Sequence, residues 1–158
     1  MIPTPTTPTT NASKSRELLP YVYDDGGRAQ YFRGNPKNAT DCVCRAVAIA
    51  SGRDYKQVYD ALTAATGQTP RRGVDTRARS FKAFMTSAGF VWTPCSSIGS
   101  TASVHYYADE LPTAGRLVCS VSGHYTAVID GVVHDAWDSR YNSFGQPRRI
   151  YGYWKFCK

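Results

Sequence analysis

Five cysteines and three histidines are the side chains of this 158-residue chain best able to carry nucleophilic or metal chemistry. Two of them sit where such chemistry has support. Cys42 follows Thr40-Asp41 and opens the run CVCRAVAIAS. Thr40 or Asp41 can cap a helix there, and a thiol in a helix's first turn is acidified by unpaired N–H groups and the helix dipole. A thiolate nucleophile works with a base, and His124 offers one. It begins the run HYTAVIDGVVHDAW, which reads as two short strands joined by Asp130-Gly131. Asp-Gly suits a two-residue type I′ turn, whose central residues both need positive φ. That turn sets Ile129 opposite Val132, Val128 opposite Val133 and His124 opposite Trp137. Alternation then places His124, Thr126 and Val128 on one face with Val133, Asp135 and Trp137. Asp135 falls diagonal to His124, where a carboxylate fixes the imidazole tautomer and stabilises the imidazolium. Asp138 lies on the opposite face and is the reserve acid if a longer turn slips the register.

The remaining candidates read differently. Cys44 is rotated by about 200° from Cys42 at helical pitch and reads as a core thiol. Cys95, Cys119 and Cys157 have no partner motif. His105 is a rival base, but no spacing places an acid beside it. A zinc site from Cys42, Cys44, His124 and His134 would need Cys-x-Cys instead of the usual Cys-x-x-Cys, and His134 points away from His124. The expectation is no metal and no cofactor. Trp137 is expected to pack over His124, and it is also the candidate substrate contact.

The elements that must position these residues follow from the pattern. Cys42 to Ser51 is apolar nearly all round, with Arg45 its only charge, which describes a buried central helix. Asp54 with Gln57 resembles a capping box for a second helix, Tyr55 to Thr66. A third, from about Thr76 to Ala88, turns Phe81, Phe84 and Met85 inward. Strands are expected at Leu18 to Tyr23, Phe90 to Thr93, Thr101 to Tyr107, Gly115 to Ser122, the two arms of the hairpin, and Tyr151 to Phe156. Helices first and strands afterwards indicate an α+β fold. Asp24-Asp25-Gly26-Gly27-Arg28 reads as a tight turn with a structural Arg.

A cysteine opening a buried helix, followed much later by His on one strand and Asp on the next, is the order found in papain-like enzymes. In this layout the chain resembles the papain-like cysteine peptidases, and more closely a group of small papain-like proteins of tailed phages and bacteria. The runs that carry the resemblance are DGGR at Asp25, DCVCRAVAIASGRDYKQVYDAL at Asp41, ADELP at Ala108, SGHYTAVIDGVVHDAWD at Ser122 and YGYW at Tyr151. They span nearly everything after the first 20 residues. The resemblance implies a papain-like fold, an N-terminal helical half with a central buried helix packed on a C-terminal antiparallel sheet, with a cleft between. It implies a cysteine hydrolase acting through an acyl-enzyme, with Cys42 as nucleophile, His124 as base and Asp135 as orienting acid. Transglutaminase-like enzymes also place the acid of a His–turn–Asp hairpin diagonal to the base, which favours Asp135 over Asp138. Papain's oxyanion Gln, six positions before the cysteine, falls here on Pro36. Asn38, ahead of Asn35, is the amide expected in its place, beside the Cys42 N–H. A peptidase is the first expectation; a related acyltransferase or deamidase, or a non-catalytic binding protein of phage–host interaction, uses the same shell.

Composition bounds the rest. The length suits one domain with a real core, expected over residues 20–158 behind a Pro/Thr-rich flexible tail at 1–19. Nineteen basic against 12 acidic residues give a net charge of +7 and a sequence pI near 9.3. The bases are scattered, so nucleic acid is not the expected partner and a protein or peptide substrate is. No apolar run reads as a signal peptide or membrane span, and an odd number of cysteines suits reduced thiols. A cytoplasmic location follows as an expectation, the host's cytoplasm for a phage product.

Overall fold

A computed structural model describes residues 17–95 and 104–158. Their order is β1 (Tyr21–Tyr23), α1 (Cys42–Ser51), α2 (Tyr55–Thr66), α3 (Arg79–Ser87), β2 (Phe90–Pro94), β3 (Arg116–Val121), β4 (His124–Ile129), β5 (Val132–Asp135) and β6 (Ile150–Phe156). Short 3-10 turns occupy Arg28–Gln30, Pro36–Asn38 and Pro70–Arg72. The fold class is α+β, three helices against a six-stranded sheet of order β1-β5-β4-β3-β6-β2.

The sheet is mixed, which corrects the antiparallel expectation. β1 runs parallel to β5, with Tyr21 beside Val133 and Tyr23 beside Asp135. The N-terminal strand is no hairpin neighbour of β5, so its direction is free of the antiparallel constraint. Val133 N donates to Pro20 O at 2.8 Å before the pairing and Asp24 N to Asp135 O at 2.8 Å after it. All other pairings are antiparallel. At the far edge β2, which follows the helices, pairs with the last strand, β6.

Helix α1 packs against β4 and β3, and every residue from Val43 to Ala50 is buried. Val118 and Ala127 of the sheet and Val58, Leu62, Phe81 and Met85 of α2 and α3 complete that core. Gly26, at φ +70°, lets the preceding loop touch the helix: a Cβ there would stand 3.1 Å from the Arg45 carbonyl oxygen. Asp54 caps α2 by accepting from Lys56 N and Gln57 N at 3.1 and 3.2 Å. Helix α3 begins at Arg79, later than expected, because Asp75 first closes a separate turn through Arg77 N and Ala78 N.

The opposite sheet face carries a second core of Leu117, Cys119, Val128, Val133 and Ile150, closed by Leu19, Tyr106 and Leu111. Leu19, where the expected tail meets the first expected strand, is 2% exposed. Where a strand was expected up to Tyr107, Val104 and Tyr107 make only isolated bridges, to Ile150 and Leu18. The rest of that expectation, residues 101–103, and most of the expected tail, residues 1–16, lie outside the described residues. Among the described residues no helix is long and apolar enough to cross a membrane.

Candidate active site

The hairpin that carries the base is set by its turn. Asp130 and Gly131 both have positive φ, +47° and +76°, as a type I′ turn requires. Ile129 pairs with Val132 and Val128 with Val133. Continued along the arms, that register brings His124 and Asp135 together, with His124 Nε2 2.7 Å from Asp135 Oδ2. Asp135 is anchored from further sides. Ser139 Oγ donates to Oδ2 at 2.7 Å, Ala136 N to Oδ1 at 2.7 Å, and the Ser139 hydroxyl also reaches Thr126 Oγ1 at 3.4 Å. Burial opposes ionisation of this carboxyl, but the bonds and charge of His124 with the hydroxyls of Thr126 and Ser139 hold it below its ordinary range.

Nε2 is committed to Asp135, so Nδ1 is the nitrogen left for the thiol. Cys42, half-buried as the first residue of α1, lines the same groove as His124, close enough for the ring to act on its thiol. Burial pushes the thiol up. The bond and charge of His124, the backbone N–H of Tyr125 and the charge of Arg45 outweigh it, and the thiol is held below its ordinary value. Burial likewise pulls the imidazole down, yet Asp135 and Cys42 raise it to about 9. Both shifts favour a thiolate beside an imidazolium.

The helix start is built differently from the sequence expectation. Asp41 occupies the N-cap position but makes no side-chain cap bond. Its carboxylate, fully buried, is held by Arg28 Nε at 2.8 Å, by Arg45 and by the Tyr55 hydroxyl. The Thr40 hydroxyl donates to Arg71 O, so it does not cap the helix either. The first-turn N–H groups of α1 are therefore left by both caps, and they point their partial positive charge at the thiol's end of the helix.

Cys42 and His124 open on one groove of about 550 Å³, lined also by Val74, Arg77, Trp92, Ser120 and Tyr125. The pairing of β3 with β6 shifts between Ser120 and Val121, an irregularity that falls where β3 borders this groove. Asn38 is not brought there. Asn35 caps the Pro36–Asn38 turn through Lys37 N, and the exposed Asn38 lines a separate cavity of about 240 Å³ with Arg28, Asn35 and Arg71. Among the described residues no side-chain amide lines the groove.

Trp137 packs on His124, ring centroids 4.7 Å apart, and the Arg148 guanidinium lies over its ring at 5.2 Å. It screens the imidazole and is not among the groove's lining residues. Asp138 is turned away, forked by Arg140 at 2.9 Å through both carboxylate oxygens. Cys44 lies in the core with its thiol pushed up by burial, its Sγ 3.7 Å from Tyr55 O. His134 sits 3.1 Å from Asp24. His105 does have an acid beside it, Glu110, whose carboxylate accepts from His105 N at 2.6 Å and stands 3.9 Å from the ring. Among the described residues no His, Cys, Asp and Glu group is placed to hold a metal ion.

Sequence reading missed Ser139 and the Arg28–Asp41–Tyr55 contacts. The serine's signal, a small hydroxyl four residues after Asp135, is too common to single out. No family model, curated protein or solved structure matches this chain.

Proposed function

We propose that the chain is a papain-like thiol acyl hydrolase, with a peptide bond as the substrate bond. The observation that carries this reading is the joined set of Cys42, His124 and Asp135 at the edge of an open groove. The Cys42 thiolate adds to the acyl carbon, and the carbonyl oxygen takes the negative charge beside the first-turn N–H groups of α1. The imidazolium of His124 gives its proton to the leaving amine as the C–N bond breaks, leaving a thioester on Cys42. Neutral His124 then takes a proton from water, hydroxide adds to the thioester, and collapse releases the acid while the thiolate–imidazolium pair reforms. Asp135 holds the ring's tautomer and its charge through both steps, anchored by Ser139 and Ala136 N. The shielding Trp137 keeps water from the ring on one side.

Alkylation by iodoacetamide with mapping of the adduct tests this reading. Selective modification of Cys42 below pH 7, lost in His124→Ala, is the expected result. Equal modification of Cys42 and the exposed Cys157 at every pH would overturn it and leave a papain-shaped binding protein.

A further inference from the structure

The groove continues into an apolar recess of about 280 Å³ whose walls are Trp92, Tyr125 and Trp154, with Thr76 and Lys82 at its side. Four of its five lining residues also line the groove that holds Cys42 and His124, so the two spaces join. Tyr125 belongs to both, next to the base in sequence and a contributor to the thiol's environment through its backbone N–H.

This recess is fixed in shape. The Phe81 ring stands edge-on to both Tyr125 and Trp154, at 6.0 and 6.2 Å. Trp92 and Trp154 are register partners across β2 and β6, with ring centroids 5.2 Å apart. Trp92 lies on the bare backbone of Gly152: a Cβ there would fall 2.3 Å from the indole ring. Only glycine at 152 lets this indole lie down on the strand and form a wall. The volume and the aromatic lining suit a large aliphatic or aromatic side chain.

The charge beside it has one sign. Arg77 on the groove and Lys82 on both spaces are exposed, and among the described residues no carboxylate lines either space. No ion pair among the described residues engages either cation. Together with the chain's net charge of +7, this favours an anionic neighbour and disfavours a cationic one.

Resting on the hydrolase reading, we propose that the recess of Trp92, Tyr125 and Trp154 is the specificity site, and that the substrate is an acidic peptide segment in which a bulky apolar residue is flanked by a carboxylate.

The test uses the full chain and internally quenched hexapeptide libraries. Each carries one Leu, Phe or Ala, flanked on either side by Glu, Gln or Lys, with cleavage mapped by mass spectrometry. Peptides with Leu or Phe beside Glu are expected to be cleaved fastest. The preference for Glu over Lys is about fivefold, as a solvent-exposed ion pair supplies. Lys82→Glu, a surface change, should invert that preference. Trp92→Ala should reduce the preference for Phe over Ala by about tenfold, the loss of one buried side-chain contact. Cleavage indifferent to both positions, or a charge preference unchanged in Lys82→Glu, overturns the proposal. So does the absence of cleavage in an enzyme whose Cys42 is still selectively alkylated below pH 7. Loss of that selective alkylation instead removes the hydrolase reading itself, so the two failures are told apart.

Discussion

Two ionic clusters meet at the start of α1, one built on Cys42 and the other on its chain neighbour Asp41. Around Asp41 every charge is sealed in: Arg28 is 5% exposed, Arg45 2% and Asp41 0%. Two cations, a carboxylate and a phenol share bonds there, and burial with Asp41 raises the Tyr55 hydroxyl well above its ordinary range. Around Cys42 the groups are held almost as firmly, but one side opens on the groove. The ionisable members there are shifted toward each other, the thiol down and the imidazole up. One cluster is closed to solvent, while the other sets opposed thiol and imidazole shifts beside an opening. What separates the two is access and the direction of those shifts, not the presence of an ion pair.

Substitutions in the two clusters should separate stability from reactivity. The largest effect is expected in Cys42→Ala, a fall in kcat/KM of more than about 10⁴-fold on any cleaved peptide, with an unchanged thermal midpoint. Asp41→Ala should strand Arg28 and Arg45 in the interior and cost about 3–5 kcal/mol of unfolding free energy, read from urea titration. Where that variant fails to fold, Tyr55→Phe removes a single bond and should cost about 1–2 kcal/mol while leaving Cys42 alkylation at pH 6 unchanged. A change in alkylation there would mean the clusters are coupled.

Asp135→Asn is expected to lower turnover on the order of 10²-fold or more, since the ring loses its tautomer anchor. It should also move the alkaline limb of the Cys42 alkylation profile, because His124 no longer holds its charge up to about 9. The smallest effect concerns pH and stability. His124 is raised from 6.5 to about 9, so its contribution is complete below 6.5 and is lost as pH rises through about 9. The difference in thermal midpoint between wild type and His124→Gln should narrow across that interval. A constant difference would show that the ring's charge adds nothing to the fold.

Much of this was legible in the chain. Asp130-Gly131 announced its turn, and the turn fixed the alternation that joins His124 to Asp135. The run after Cys42, apolar but for Arg45, announced a buried helix. Contacts without a period were not legible. Asp41 looked like a cap because caps are local, whereas its partners Arg28 and Tyr55 lie 13 and 14 positions away. The parallel seat of β1 depends on three residues and on where the chain happens to pass. Asn38 looked usable as an oxyanion donor on spacing alone, but the Asn35-capped turn carries it outward.

The short hairpin has a consequence for biosynthesis. His124 and Asp135 are 11 positions apart and can meet as soon as one ribbon closes. Cys42 belongs to the distant helical half and reaches them only when that half docks on the sheet. On the proposed hydrolase reading, the nascent chain therefore carries an unassisted sulfhydryl. Its reactivity arises only at the moment the two halves lock, so that assembly itself acts as the safety catch.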